Sequence, residues 1–367
     1  MIGSIFPARQ LFGGASGGGR SIRAHIWKWV AGAALAAALV WWLLGARSPL
    51  RGFDWTLAAA AMERLRWPWL LLSLLMAAAT YYGRALRWAV FLKPLKPRPS
   101  IRNLLSATMI GFAAITLFGR PGELVRPYLI AVKERVPVSS QFAAWLLERI
   151  FDLLMALLIF GFALARVHAL GAHVGPRLAG VLAVGGRLTA FAAVALLAIL
   201  LSLRHFAEPM RRRLVAGLRR LPEARFLKFE KLVNSLMQGV ESTRSDGALL
   251  LVLLYSVLEW ALIAACFECL ARSFFGASFS FVDVLVLLGF VSFGAVIQIP
   301  GIGGGMQVVS IVVLTELFAV KLEVATAFAM LVWIITLVAV VPVGLGLALK
   351  EGLDWHSLRQ ISRETSA

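Results

Sequence analysis

The chain has 367 residues, of which 60% are hydrophobic and only 15% are charged. Ordinary soluble domains are about 45–50% apolar and about 25% charged, so this composition excludes a conventional globular enzyme. A formal net charge of +18 would indicate nucleic acid in a soluble protein. Basic loops that face anionic lipid explain the charge here, so we expect a polytopic membrane protein with no nucleic-acid partner.

A Gly-rich basic leader over residues 1–26 precedes the first apolar run, about residues 27–46. This run lacks a small-residue cleavage site, which predicts a retained transmembrane helix. A second span, about residues 68–92, ends in the sequence GRALRW and continues into a basic cluster. Basic residues favour the cytoplasmic side, which places the end of this span and the N-terminus in the cytoplasm.

The next apolar stretch, about residues 104–132, is broken by the sequence FGRPGE. Gly119, Pro121 and Gly122 are poor residues for a continuous helix. Basic residues stand at both ends of the stretch, so the chain is predicted to enter and leave the membrane on the same side. We predict a re-entrant hairpin, which protein or a wet cavity must cover because lipid does not tolerate exposed irregular backbone.

Two further spans follow, one over about residues 142–165 and one that ends near residue 203. Arg187 falls inside the second of these, which leaves its start open. A loop over about residues 204–247 carries ten Lys and Arg residues. This loop is predicted to lie on the cytoplasmic surface of the membrane.

The second half repeats this order with a span over about residues 248–271, a broken apolar region over about 281–320, and a last span over about 324–349. Few positive charges flank the broken region, so both of its ends are predicted to be outside. Its break has two interpretations: it offers backbone amides and neutral donors to a ligand, or its small residues allow close helix packing. The break contains Gln298, Pro300, Gly301, Gly303, Gly304, Gly305 and Gln307.

Together these segments predict an all-α polytopic membrane protein with about six full transmembrane helices and two opposed re-entrant helical hairpins. Residues 27–349 would form one membrane domain in the cytoplasmic (inner) membrane, and residues 350–367 would form a cytoplasmic tail. Span, hairpin and span occur in that order over about 68–165 and about 248–349, with opposite orientation. This outline is that of an inverted repeat, an arrangement in which transporters place their site at the repeat interface near the midplane.

Charged residues inside the membrane are costly unless they face a partner or a cavity. Around the first break and in the neighbouring spans the sequence has Arg84, Arg87, Arg120, Glu123, Arg126, Glu148, Arg149 and Asp152. They are either structural ion pairs, some of them snorkelling at the interface, or part of an anion site. In the second interpretation Arg120 and Arg126 hold a phosphate or carboxylate, because guanidinium is planar and always charged.

Glu259 lies near the middle of its span. It is predicted either to pair with an arginine of the first half or to take up and release a proton. Cys266 and Cys269 lie three apart in an apolar run, which predicts a buried helical pair and no disulfide framework. Metal-binding and nucleotide-binding motifs of known spacing are absent from the sequence, so we expect no cofactor and no metal.

Four sequences resemble, in this order and spacing, the flippase-like membrane family that includes the transmembrane region of lysylphosphatidylglycerol synthase. They are GRALRW at 83–88, FGRPGELVRPYLI at 118–130, LLERIFDLL at 146–154 and PGIGGGMQ at 300–307. The resemblance covers nearly the whole chain after about residue 30. Members of this family are regarded as translocators of lipids or lipid-linked sugars, or as accessories to lipid pathways.

Carried over by position, the resemblance implicates Arg84, Arg87, Arg120, Gly122, Glu123, Arg126, Glu148, Arg149 and Asp152. The second-half loop of many members resembles PGG-x-G-x-x-E, and here Gln307 stands about where the glutamate would be. This departure puts a carboxylate role there in doubt. Fewer than about 20 residues follow the last predicted span, so we expect neither an aminoacyl-transfer domain nor lysyl transfer.

The sequence therefore predicts a translocator of an anionic lipid or lipid-linked headgroup. Candidate lipids are an anionic phospholipid, a polyisoprenoid phosphate, a glycolipid and a triterpenoid. An alternative is a non-transporting accessory or scaffold that binds lipid-synthesis enzymes through the basic loop. An intramembrane enzyme is disfavoured because no paired carboxylate motif of metal-binding spacing occurs. In the favoured interpretation Arg84, Arg87, Arg120 and Arg126 contact the headgroup, and Glu123, Glu148, Arg149, Asp152 and Glu259 support them.

Overall fold

The structure, a computed structural model, describes residues 53–169, 186–198, 230, 245–276, 278–295, 298–299 and 303–352. The predicted leader, first span and tail after residue 352 lie outside these residues, as do Pro300, Gly301 and nearly all of the basic loop. Arg187 lies in a described helical stretch, and residues 170–185, which precede it, lie outside the described residues.

The described helices are α1 (Trp55–Glu63), α2 (Trp67–Leu92), α3 (Ile101–Phe118), a 3-10 turn (Arg120–Leu124), α4 (Val125–Glu134), α5 (Val138–Ala169), α6 (Gly186–Ala198), α7 (Asp246–Phe275), α8 (Phe281–Gly294), α9 (Gly305–Glu316) and α10 (Leu322–Lys350). Five of them, α2, α3, α5, α7 and α10, are long and apolar enough to cross a membrane. The predicted all-α polytopic membrane class is confirmed. Two short strands, β1 (Gln298–Ile299) and β2 (Gly303–Gly304), pair antiparallel between α8 and α9.

The long helices begin where local chemistry favours a helix start. Ser245 precedes α7, and its hydroxyl accepts a hydrogen bond from the backbone amide of Ala248 at 3.2 Å, which satisfies a donor that the first turn leaves free. Pro68 stands in the first turn of α2, where its fixed φ is compatible with a helix. Cys266 and Cys269 are buried in α7 with free thiols, as predicted.

The first predicted hairpin consists of α3, the 3-10 turn and α4. Its two ends meet at Glu134, the last residue of α4. The Glu134 carboxylate accepts a hydrogen bond from the Asn103 side chain at 2.7 Å and lies 2.7 Å from the Lys96 ammonium. The chain therefore enters and leaves this hairpin at one place, called here the first base (Lys96, Ser100, Asn103 and Glu134).

The second predicted hairpin consists of α8, the β1–β2 pairing and α9. At 14 and 12 residues, its helices are about 21 and 18 Å long, too short to cross a hydrocarbon core of about 30 Å. Its ends also meet, because the rings of Phe279 and Phe318 lie 4.9 Å apart between centroids. These two residues define the second base.

The two bases lie at opposite ends of α2, so the hairpins are opposed as predicted. The first base follows the end of α2, whereas the second lies with its beginning. Arg66, just before α2, donates its backbone amide to the Ser273 carbonyl at 3.1 Å, and Phe275 of the same helix end stacks on Phe279 at 4.6 Å. The last helix returns to the first base, because Lys133 lies 2.6 Å from Glu351.

Packing between the two halves follows a two-fold exchange. Helix α2 packs along α7, α3 packs against α10, and α5 packs against α8. In an inverted repeat, α2 corresponds to α7, α3 to α8 and α5 to α10. Exchanging the halves then leaves the α2–α7 contact unchanged and turns the α3–α10 contact into the α8–α5 contact. The packing is therefore that of the predicted inverted repeat, with each half completed by the other.

Candidate functional site

The charged residues of the spans meet around Arg87, which is fully buried in α2. Its Nη1 donates to the Asp152 carboxylate at 2.7 Å and to the Ser256 hydroxyl at 3.0 Å. Its Nη2 donates to the Glu148 carboxylate at 2.7 Å. Arg87 thus joins α2 to both α5 and α7, and buried charges of this kind require such partners.

Glu259 of α7 is fully buried against the two arginines of α2. Its oxygens lie 2.5 Å from the Arg84 guanidinium and 3.2 Å from that of Arg87, at ion-pair distance but outside hydrogen-bond geometry. The geometry corresponds to the first of the two roles predicted for Glu259, a partnership with the first half. Its exchange of a proton stays a prediction.

Arg126, the second residue of α4, is buried between α2 and α5. It forms an ion pair with Glu148, and its guanidinium lies over the Trp88 ring at 4.2 Å from the centroid. Trp88 is itself held by its indole N–H, which donates to the Gln141 side chain at 2.9 Å. The aromatic face and the carboxylate together stabilise a desolvated guanidinium.

Arg149 lies at the exposed edge of the same group. Its Nη2 is 3.0 Å from the Asp152 carboxylate and 3.4 Å from that of Glu148. Arg84 approaches the same Asp152 oxygen, Oδ2, to 3.8 Å. The Arg149 side chain is 34% exposed, whereas most of the group is buried.

These seven side chains form what is called here the arginine cluster: Arg84, Arg87, Arg126, Arg149, Glu148, Asp152 and Glu259. Four positive charges face three negative ones. Several donors of the cluster have no hydrogen-bond partner among the described residues, namely Arg84 Nε and Nη1, Arg87 Nε, Arg126 Nη1 and Arg149 Nε. Buried donors without partners are costly, so the arrangement is suited to bind an additional anion.

The sequence GRPGE forms the tip of the first hairpin. Gly119 ends α3 with a φ of 73°, a left-handed conformation that side chains other than glycine rarely adopt. Gly122 packs directly on the backbone of Ala114 and Ile115, where a Cβ would collide. Both glycines of the motif are therefore required by the turn itself.

Arg120 stands at this hairpin tip and forms an ion pair with Glu123 at 2.5 Å. Its side chain is 48% exposed, in contrast to the buried Arg126. The structure thus places Glu123 beside Arg120, and Glu148 beside Arg126. The predicted contact of Arg120 with phosphate stays a prediction.

The tips of the two hairpins meet at a small cavity of about 60 Å³. Thr116 of α3, Gln307 of α9 and Thr336 of α10 contribute its polar groups. The Gln307 side chain accepts a hydrogen bond from the Gly304 amide at 2.7 Å and packs against Gly303, whose φ is 112°. The second break thus brings the neutral Gln307 side chain to the cavity, and its Gly305 also packs closely on Gly294, so both interpretations of this break stay predictions.

The family described as the lysylphosphatidylglycerol synthase TM region matches residues 29–344. The chain belongs to the lysylphosphatidylglycerol synthase TM region family. Comparisons with curated proteins and with solved structures give no match. Membership in the family establishes a membrane protein related to lipid metabolism and confirms the resemblance that its motifs indicated.

Some residues that support the arginine cluster were not identified in the sequence. Ser256 precedes Glu259 by three residues and so shares its helix face; this spacing could have identified it. Trp88 ends the GRALRW motif one residue after Arg87, but nothing in the sequence shows that it supports Arg126. Gly111, which lies beside Arg126, gives no signal within an apolar helix.

Proposed function

We propose that this protein moves an anionic lipid or lipid-linked headgroup across the cytoplasmic membrane. The observation that carries the proposal is the arginine cluster, which lies between α2, α4, α5 and α7 and has unpartnered buried donors. Ionisable groups inside a membrane protein commonly mark the path of a substrate or ion. Family membership adds a relation to lipid metabolism.

In this proposal the headgroup phosphate takes the free donors of the cluster while the acyl or isoprenoid tail stays in lipid. The donors replace the water that the phosphate loses, which lowers the cost of its transfer. The two opposed hairpins alternately expose the site as one repeat moves against the other. No nucleotide-binding motif is present in the sequence, so we propose that a lipid or ion gradient drives the movement and that no catalytic step occurs.

We also propose that the first base faces the cytoplasm. That end of the molecule carries Lys93, Lys96, Arg98, Arg102, Lys133, Arg135 and Lys350 against Glu134, Asp246 and Glu351. At the opposite end of the described part of the chain, acidic and basic residues are equal in number, with Glu63, Glu268, Asp283, Glu316 and Glu323 against Arg64, Arg66, Arg166, Arg272 and Lys321. Excess Lys and Arg on one side supports a cytoplasmic location for it and for both termini.

The proposal is tested by reconstituting the purified protein in vesicles that contain acyl-labelled fluorescent phosphatidylglycerol. Dithionite bleaches the label in the outer leaflet, so translocation appears as loss of the protected fraction. We expect rapid loss with the wild type and a rate close to that of protein-free vesicles with Arg126→Gln and with Arg149→Gln. Arg149→Gln removes a partly exposed arginine, so it tests the site even if Arg126→Gln reduces the folded yield.

Arg272→Gln is the matched control. Arg272 pairs with Glu268 at 2.5 Å near the end of α7 and is 49% exposed, so its loss removes one positive charge outside the cluster. We expect its rate to equal that of the wild type. Wild-type rates in all three variants would show that the cluster is a structural lock, and no translocation by the wild type would favour the accessory role.

A further inference from the structure

The exposed edge of the arginine cluster lies in a stripe of apolar side chains on α5. Arg149 shares this helix face with Leu146 and Leu153, three residues before it and four after it. These leucines are 54% and 44% exposed, as expected of side chains that face lipid. A guanidinium in such a stripe is costly unless anions or water meet it, and the carboxylates of Asp152 and Glu148 meet only its Nη2.

Two arginines converge at this edge. Arg84 and Arg149 approach the same oxygen of Asp152, at 3.8 and 3.0 Å. Arg84 Nε and Nη1 and Arg149 Nε have no hydrogen-bond partner among the described residues. An oxyanion placed here would accept hydrogen bonds from both guanidinium groups, which bind phosphate oxygens well because of their planar geometry.

Helix α5 packs chiefly against α8 and α4 and contacts α7 and α2 at fewer residues, whereas α2 and α7 pack along their length. Ion pairs of the arginine cluster join α5 to α2. In a sideways approach, a headgroup would reach Arg149 from the exposed face of α5 while its tails remain beside Leu146 and Leu153.

The charge of the cluster selects among headgroups. Each of Glu148, Asp152 and Glu259 lies against at least one guanidinium, so the seven side chains of the cluster carry one net positive charge. One negative charge neutralises it. A dianion would leave an uncompensated negative charge in a poorly screened site, and a headgroup without net charge would leave the positive one.

Resting on the proposed function, we infer that the substrate headgroup is a phosphodiester with a single negative charge, which enters sideways from the bilayer between Arg84 and Arg149. This class excludes phosphomonoesters, which carry up to two negative charges near neutral pH. It also excludes headgroups in which a cation cancels the phosphate charge.

The test measures lipid binding to the wild type in nanodiscs by native mass spectrometry at pH 8. The probes are phosphatidylmethanol, a monoanionic phosphodiester, and phosphatidate, the phosphomonoester with the same acyl chains. We expect at least about a tenfold preference for phosphatidylmethanol, because one unit charge in a poorly screened site has a large effect. Phosphatidylcholine is expected to bind less than either.

A charge change inside the cluster should alter this preference. Asp152→Asn keeps the shape of the side chain but leaves two net positive charges, so we expect phosphatidate to bind as well as phosphatidylmethanol or better. Glu259→Gln makes the same change at a second position, in case Asp152→Asn folds poorly. Glu268→Gln adds the same charge outside the cluster and should keep the preference of the wild type.

Equal binding of both probes to the wild type, or an unchanged preference in both cluster variants, would overturn the inference. If lipid binding still depended on Arg149 in that case, the proposed function would stand. Binding of both probes that is unaffected by Arg149→Gln would instead count against the proposed function. Displacement of phosphatidylmethanol by an equal concentration of dimethyl phosphate would show that the site takes a soluble phosphodiester, and the sideways entry of a lipid would be overturned.

Discussion

Gly111 of α3 lies directly against Arg126 of α4. A Cβ at position 111 would stand 2.5 Å from the Cβ of Arg126 and 3.1 Å from its Cα. The two arms of the first hairpin therefore touch at backbone distance. This contact holds Arg126 where its guanidinium covers Trp88 and pairs with Glu148.

Gly111→Ala is expected to displace α4 and with it Arg126. Inserting a methyl group into a closely packed contact costs about 1–3 kcal/mol, so we expect a lower unfolding temperature in detergent and slower translocation of labelled phosphatidylglycerol. Gly161→Ala is the control, because a Cβ there meets nothing within 4 Å and alanine favours a helix. Identical stability and transport in the two variants would contradict the role of this contact.

A second pair of glycines tests the packing of the last helix on the first hairpin. A Cβ at Gly344 would stand 2.6 Å from the Cβ of Ala113 and from the carbonyl oxygen of Met109, whereas a Cβ at Gly346 would meet nothing within 4 Å. We expect Gly344→Ala to lower the unfolding temperature and Gly346→Ala to keep or raise it. The comparison is made by thermal unfolding in one detergent. Equal shifts would show that α3 and α10 are not packed this closely.

Hydropathy and charge were sufficient to predict most of the described helices. Helices α2, α5, α7 and α10 were expected because a span requires about 20 apolar residues. Glycine and proline at 119–122 located the turn of the first hairpin, since they disfavour a continuous helix. Helix α1 was missed because its nine residues are too few for a span and carry no periodic signal.

The composition of the arginine cluster could be predicted only in part. Arg120 and Arg126 belong to one motif. The 3-10 turn sets Arg120 beside Glu123, three residues on, whereas Arg126 lies in the first turn of the next helix and pairs with Glu148 of α5. Arg84 and Glu259 lie on helices far apart in sequence. Their pairing depends on the packing of α2 along α7, which no local pattern specifies.

The contacts of Glu134 in the first base are expected to make the free energy of unfolding depend on pH in the acid range. Burial alone would raise the pKa of Glu134, but hydrogen bonds from Lys96, Asn103 and a backbone amide hold it below the ordinary value of 4.5. A carboxyl whose pKa is lowered by folding contributes stability above its unfolded pKa. That stability is lost as pH falls through the lower, folded pKa.

We therefore expect the unfolding temperature of the wild type to be constant above about pH 5 and to fall below it as Glu134 becomes protonated. Glu134→Gln should be less stable than the wild type at pH 7, and the difference should shrink towards pH 3. Glu316→Gln, at an exposed position, serves as the control for the loss of one carboxylate. A constant difference across this pH range would show that the ionised form of Glu134 is not what stabilises the base.

The opposed hairpins and the charge asymmetry together predict which residues are reached from each side of the membrane. Arg98, near the first base, and Ser278, near the second, are both exposed. If the first base is cytoplasmic, an impermeant maleimide should label Ser278→Cys in intact cells and Arg98→Cys only after permeabilisation. Both substitutions are made with Cys266→Ala and Cys269→Ala, which removes the two native thiols.

Each result of this labelling has a distinct structural meaning. The reverse pattern would invert the orientation but keep the hairpins opposed, since the two positions would still differ in accessibility. The excess of Lys and Arg at the first base would then have failed as a guide to the cytoplasmic side. Labelling of both positions from one side would contradict the opposed bases themselves. Helix α2 separates the two bases by 26 residues, which is about 39 Å of helix. This distance is more than the thickness of the hydrocarbon core.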